Sequence, residues 1–201
     1  MKKPKMITQE QAEKIIQQLN RRDRLIFQLA IETGLRISDV LSLKARQVSK
    51  MMTVLETKTG KYKNVELSDA LLAELEPYKY EYLGTQRQIK ILCDHEKWLF
   101  LSPRNAQKHL HRVTYHRRLK KAAVASCVNV SAHSTRKLYA MNKFSETGDI
   151  FEVQNLLNHK YTSTTAAYLD IDLRKIINAT LLNELQKKSN GEATHVDESL
   201  P

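Results

Sequence analysis

A mostly helical domain carrying a small antiparallel sheet, an α+β arrangement, is the fold class the sequence predicts. Three observations carry that expectation. Apolar residues recur at helical spacing through most of the chain. Two short alternating runs flank Lys58-Thr59-Gly60-Lys61. The 201 residues hold only 5 Gly and 4 Pro, too few for a turn-rich β-sandwich. Hydrophobic residues make up 41% and charged residues 27%, as in an ordinary globular chain long enough to bury a core.

The elements follow in order. Thr8 with Gln11 three residues on reads as a capping box, and Ala12, Ile15, Ile16 and Leu19 give the apolar stripe of the helix behind it. Leu25, Ile26, Leu29 and Ala30 mark a second helix, which Gly34 ends. Ser38 is expected to cap a short third helix through Val40 and Leu43. Residues 51–56 and 62–67 read as a hairpin. Ser68 starts a helix that Pro77 is expected to kink or end. Residues 98–101 suggest a short strand, closed by Ser102-Pro103, and residues 105 to about 125 one long helix. Another helix begins near His133 and stops at Gly148. Asp149 caps the next, with Val153, Leu156 and Leu157 inward. Ser163 opens a short turn or helix containing Tyr168. Leu173, Ile176, Ile177 and Leu181 form a last amphipathic stripe, and residues 188–201 are expected to be a disordered tail.

Charge narrows the class of partner. Lys plus Arg is 33 against 22 Asp plus Glu, a net charge of +11. Residues 97–145 contain no acid and eleven bases: Lys97, Arg104, Lys108, Arg112, Arg117, Arg118, Lys120, Lys121, Arg136, Lys137 and Lys143. The other 22 bases are matched by the 22 acids, so the whole excess sits in one quarter of the chain. Such a stretch suits a polyanion, above all nucleic acid, because phosphate contacts release counterions. The only Cys residues, Cys93 and Cys127, make no disulfide framework or zinc cluster. No uncharged apolar run is long enough to span a membrane, and Met1-Lys-Lys-Pro-Lys is not followed by a signal-peptide core. A reduced, cytoplasmic setting is expected. His109 and His111 are two apart and make no helical zinc pair. His95, His116 and His195 read as surface residues, and Tyr78, Tyr80 and Tyr82 as packing or solvent-facing groups.

Four segments carry chemistry: Thr33-Gly34-Leu35-Arg36-Ile37-Ser38-Asp39; Lys58 in the hairpin, with Lys61 nearby; His133-Ser134-Thr135-Arg136; and Leu156-Leu157-Asn158-His159, followed nine residues later by Tyr168. Each alone is weak. Together and in this order they resemble the tyrosine recombinase, or phage integrase, family, whose catalytic domain the resemblance maps onto roughly residues 6–187 of a 1–187 domain. It implies that Arg36, Lys58, His133, Arg136, His159 and Tyr168 are catalytic, with Tyr161 a decoy only two residues past His159. Asn158 stands where the family usually has Gly, which a left-handed position tolerates. Leu138 stands where Thr is common.

The resemblance implies a phosphodiester exchange without metal, ATP or any other cofactor. Two guanidiniums, Arg36 and Arg136, would fork onto the non-bridging oxygens. Tyr168 would attack phosphorus, with His133 as base, His159 as a phosphate hydrogen-bond donor and Lys58 as acid to the 5′ oxygen. Lys61, Arg104, Lys108, Arg112, Arg117, Arg118, Lys120, Lys121 and Lys137 are the expected contacts to double-stranded DNA. A homotetramer on paired sites, with the C-terminal helix exchanged between protomers, is the implied assembly, on the nucleoid and away from any membrane. The alternatives are strand relaxation as by a type IB topoisomerase, a non-catalytic DNA-binding regulator, which has no need of Tyr168, and a basic RNA binder, which explains the charge alone. The family's usual N-terminal DNA-clamping domain is not expected within this chain, since the first catalytic-domain helix starts near residue 8. Either a natural short form or a piece of a longer integrase fits.

Overall fold

The computed structural model describes residues 6–81, 97–131 and 133–171. The apolar stripe from Leu173 to Leu181 and the tail lie outside these residues, as do Cys93, His95 and His195.

Helix α1 (Gln9–Gln17) starts at the expected capping box: Gln11 N donates to Thr8 Oγ1 at 3.2 Å and Thr8 N to Gln11 Oε1 at 3.1 Å. Helix α2 (Arg21–Thr33) is capped by Asn20 and ends because Gly34 turns left-handed, with φ +62°. The short α3 (Ile37–Leu41) follows at once. Arg36, not Ser38, occupies its cap position. The extended backbone there (ψ 145°) makes no side-chain cap bond, so the guanidinium is left for other partners.

Strands β1 (Met51–Leu55) and β2 (Tyr62–Glu66) pair antiparallel, with Met51 opposite Glu66 and Leu55 opposite Tyr62. Their alternation turns Met52, Val54, Lys63 and Val65 inward. Helix α4 (Asp69–Glu81) begins where Ser68 Oγ accepts from Leu71 N, and runs through Pro77 instead of stopping there. Burial of Tyr78 against Phe100, with ring centroids 5.9 Å apart, anchors the turn beyond the proline.

The second sheet departs from expectation. Residues 105–109 form a strand, not the start of a helix: β4 (Asn105–His109) folds back on β3 (Leu101–Ser102) around Pro103-Arg104. Trp98 precedes that strand and bridges Lys44 instead. The Trp98 indole N–H donates to the Gln107 carbonyl at 3.2 Å, which holds the hairpin in place. Helix α5 (Arg112–Ala125) then starts at a cap supplied by His111, whose Nδ1 accepts from Val113 N. Helices α6 (Ser134–Thr147), α7 (Ile150–Leu156) and α8 (Thr162–Leu169) follow. Gly148 ends α6 at φ +66°, and Asp149 caps α7.

Two apolar clusters divide the interior. The larger gathers α1 to α4, the first hairpin, Leu99, Phe100 and the inner face of α5. The smaller holds Tyr139, Ala140, Val153, Leu157 and Leu169, from α6, α7 and α8. Helix α6 belongs to both, since Leu138 packs into the first and Tyr139 into the second. The chemistry-bearing residues gather along this seam.

Gly34 is fixed twice over, by its left-handed backbone and by Tyr139. A Cβ at that position would lie 2.2 Å from the Tyr139 ring. Gly148 has the same backbone and nothing within 4 Å. Gly148→Ala is therefore expected to destabilise by about 1–2 kcal/mol, the left-handed penalty alone. Gly34→Ala adds overpacking and should cost about 3–5 kcal/mol. Urea unfolding of the two variants checks the difference, and equal losses would place Tyr139 elsewhere than over Gly34.

Candidate active site

The site is built on a carboxylate. Alternation in β1 carries one step beyond the strand and turns Glu56 inward, where it is fully buried. Arg36, aimed by the turn after Gly34, donates from Nη1 to Glu56 Oε1 at 2.8 Å. Arg136, in the first turn of α6, donates to the same oxygen at 3.1 Å. The second oxygen accepts from Asn158 Nδ2 and from Thr59 Oγ1, both at 3.0 Å. Burial alone would raise the Glu56 carboxyl. The Asn158 hydrogen bond, the Arg136 and Arg36 charges and Thr59 outweigh it and hold the group at about 2.

Arg136 is itself buried and ties three segments together. Its Nη1 also donates to the Gly34 carbonyl at 2.7 Å, and its Nη2 donates to the carbonyl of Leu157 at the end of α7. Lys63 lies beside this pair. Its Nζ donates to the Thr33 carbonyl at 2.6 Å and sits over the Tyr139 ring. Burial, then the Arg136 charge, lowers this amine to about 7 despite the opposing pull of Glu56.

Lys58 is exposed in the turn between β1 and β2. That turn is pinned by Thr57 N to Asp39 Oδ1 at 3.1 Å and by Gly60 N to the Glu56 carbonyl at 2.9 Å. His133 stands at the N-terminus of α6. Partial burial lowers its pKa below 6.5, and the cations Arg136, Lys58, Arg36 and Arg112 lower it further. Both effects disfavour the imidazolium form.

Asn158 follows α7 in the left-handed conformation (φ 52°), as a Gly would, and so turns the chain to present His159. His159 Nδ1 lies 3.0 Å from Thr165 Oγ1, and its ring meets Tyr168 edge-on at 5.7 Å between centroids. Burial and the two arginines push His159 down to about 4. Tyr168, on α8, donates its hydroxyl to the His133 carbonyl at 3.1 Å. Burial raises the phenol to about 12, although Arg136 and Arg36 pull the other way. Tyr161 is exposed, with Lys160 over its ring. Arg36 and Arg136 thus meet on one buried acid, Lys58 lies in the turn beside it, and His133, His159 and Tyr168 stand near enough to feel the arginines' charge.

The basic residues divide. Lys61 is exposed beside the first hairpin turn, Arg104 and Lys108 on the second hairpin, and Arg112, Arg117, Lys120 and Lys121 along α5. Arg118 is partly buried and paired with Asp23 at 3.3 Å. Lys137 does not fit the expectation. Its side chain is 4% exposed and pairs with Asp170 at 3.2 Å, because it follows Arg136 on the inward side of α6. It leaves the set of expected DNA contacts. His109 packs edge-on against Trp98, and His116 is exposed on α5. Among the described residues no three His, Cys, Asp or Glu side chains converge where a metal ion could be held.

Glu56, Lys63 and the Asn158 amide were not singled out from the sequence. A signal for the first two existed: period-2 alternation from Met52 and Val54 leads to Glu56, and from Val65 back to Lys63. A charge on the apolar face of a strand marks a buried partner.

The model of the Phage integrase family matches residues 5–174. A probable integrase/recombinase, YoeC of Bacillus subtilis, is 31% identical over 156 residues, covering 76% of this chain and 80% of that protein. Tyrosine recombinase XerA of Pyrococcus furiosus is 29% identical over 197 residues, covering 94% of this chain and 65% of its own length. The crystal structure of XerA recombinase superposes with a TM-score of 0.69 at 21% identity, over 88% of this chain and 65% of that one. The lambda integrase catalytic core does so with 0.58 at 24% identity, over 77% of this chain and 91% of that one. The fold and the family match agree, and the chain belongs to the phage integrase family.

Proposed function

We propose that the chain is a site-specific DNA recombinase that cuts and rejoins DNA through a 3′-phosphotyrosyl intermediate on Tyr168, and so integrates, excises or inverts a DNA segment. The observation that carries this reading is the convergence of Arg36 and Arg136 on one buried carboxylate, between the Lys58 turn and the His159–Tyr168 contact. Tyr168 Oη attacks phosphorus while its proton passes to His133, whose surroundings disfavour the imidazolium and so leave the ring able to accept it. Charge building on the non-bridging oxygens falls to the guanidiniums and to His159, whose Nε2–H is left to donate when Nδ1 takes the Thr165 hydroxyl. The 5′ oxygen leaves with a proton from Lys58. The products are a 3′-phosphotyrosyl link and a free 5′-hydroxyl, and the same steps in reverse reseal a strand. Double-stranded DNA is the substrate. A nucleoid setting accords with it, and no helix among the described residues is long and apolar enough to cross a membrane.

The assembly we propose is a homotetramer on paired sites, held by exchange of the segment bearing Leu173, Ile176, Ile177 and Leu181. Deletion of residues 173–201 should abolish the slowest-migrating protein–DNA complex while the shortened chain still melts cooperatively. A truncated chain that unfolds would assign the segment to its own core.

The exposed bases Arg117, Lys120 and Lys121 are proposed to contact phosphates. Changing all three to Gln should flatten log K against log salt by about one unit of slope per lost contact, alike for all sequences. An unchanged slope puts α5 off the DNA.

On a nicked suicide substrate in EDTA, without ATP, the wild type should trap a 3′-linked adduct. Tyr168→Phe should bind DNA and trap none, and Tyr161→Phe should retain the adduct. An adduct that persists in Tyr168→Phe overturns the nucleophile. Relaxation of supercoils on any DNA, without exchange between two copies of one site, would instead identify topoisomerase-like activity.

A further inference from the structure

Glu56, at 0% exposure, is a buried charge at the centre of the site that the reaction above leaves without a role. We propose that it is a positioning residue for strand cleavage, fixing the separation and orientation of Arg36 and Arg136 and tying both to the Lys58 turn. The inference rests on the recombinase reading.

Three observations support it. First, the carboxylate is saturated: Arg36 and Arg136 share Oε1, while Asn158 and Thr59 share Oε2. Second, Arg36 keeps an edge for substrate, while Arg136 is held behind it by the Gly34 and Leu157 carbonyls. Among the described residues Arg36 makes no bond through Nε or Nη2, and its side chain is 18% exposed while Glu56 is at 0%. An incoming phosphate therefore meets Arg36 from the open side, with Glu56 behind it. It does not have to displace the carboxylate. Third, Glu56 closes the Lys58 turn through its own backbone, since its N donates to the Lys61 carbonyl and its carbonyl accepts from Gly60 N, both at 2.9 Å. The two Nη1 atoms lie 2.8 and 3.1 Å from one oxygen and so close to each other; two cations about 6 Å apart repel by about 3 kcal/mol at an intermediate dielectric. One anion between them makes their convergence stable and leaves the pair one net positive charge for a monoanionic phosphodiester.

The isosteric Glu56→Gln separates charge from shape. The Gln oxygen still accepts from both arginines. Its amide still reaches Thr59, and Asn158 once that amide turns over. DNA affinity should stay within about threefold, while cleavage at saturating DNA falls by about tenfold or more, as expected for an interaction used in the transition state. On a methylphosphonate substrate, whose phosphorus carries no anionic oxygen, the deficit should narrow, because the guanidinium pair has less charge to hold. Asn158→Gly keeps the left-handed backbone and removes one of the four bonds. It should slow cleavage less, with an effect non-additive with Glu56→Gln. Should Glu56→Gln fail to melt cooperatively, Asn158→Gly on the two substrates carries the test alone. A wild type that forms no adduct overturns the recombinase reading, and this inference with it. A cleaving wild type beside variants that cleave equally fast, or that are equally slow on both substrates, overturns the positioning role alone.

Discussion

Two guanidinium groups aimed at one spot repel each other, and the fold answers that constraint at Glu56. The carboxylate lies at the end of β1, Arg36 comes from the turn after α2, and Arg136 comes from α6. Each element is held in place by something else at the same seam. Gly34 lends its carbonyl to Arg136, and its missing side chain leaves room for Tyr139. Leu157, closing α7, lends another carbonyl. A buried ion cluster of this kind contributes little net stability against a well-packed apolar alternative, yet breaking it leaves an uncompensated charge inside. Its place in the fold is therefore better explained by geometry than by stability.

The same charges act on Tyr168, the proposed nucleophile. Arg36 and Arg136 favour a phenolate at Tyr168, but burial wins and the hydroxyl stays protonated, donating to the His133 carbonyl. An incoming phosphate adds negative charge and cannot help the proton leave. In the mechanism proposed, proton loss must then accompany attack, which requires a neutral base within reach. Partial burial of His133, and then the cations around it, favour that neutral form by disfavouring the imidazolium. In that mechanism the cluster of positive charge holds phosphate and helps keep the base unprotonated, while burial keeps Tyr168 in its phenol form.

Much of this was legible in the sequence. Helix ends at Thr8, Gly34, Gly148 and Asp149 follow from local backbone chemistry, and the structure has them where the residues indicate. Motif order was enough to bring Arg36, His133, Arg136, His159 and Tyr168 together. The failures share a cause: contacts distant in sequence outweighed local preference. Residues 105–109 look helical alone, but the hairpin around Pro103 and the Trp98–Gln107 bond make them a strand. Of the two outcomes expected at Pro77, a kink or an end, the end is ruled out: α4 continues past it to the buried Tyr78. Lys137 reads as one more base in a basic run, and only the packing of α6 turns it inward to Asp170.

Asn158 shows how a departure from a family pattern is accommodated. A left-handed residue is needed between Leu157 and His159, and Gly meets that need by having no side chain. Asn meets it at modest cost, because its short amide tolerates the conformation. It then brings a group Gly lacks, and in this chain the amide reaches across to Glu56. The His159 segment is thereby bonded to the carboxylate that also holds the Lys58 turn through Thr59. A residue that looks in sequence like a tolerated substitution is, in the fold, a cross-link between two parts of the site. Glu56 on the apolar side of a strand and Asn158 in a glycine position each look anomalous alone, and their contact gives both one physical reason.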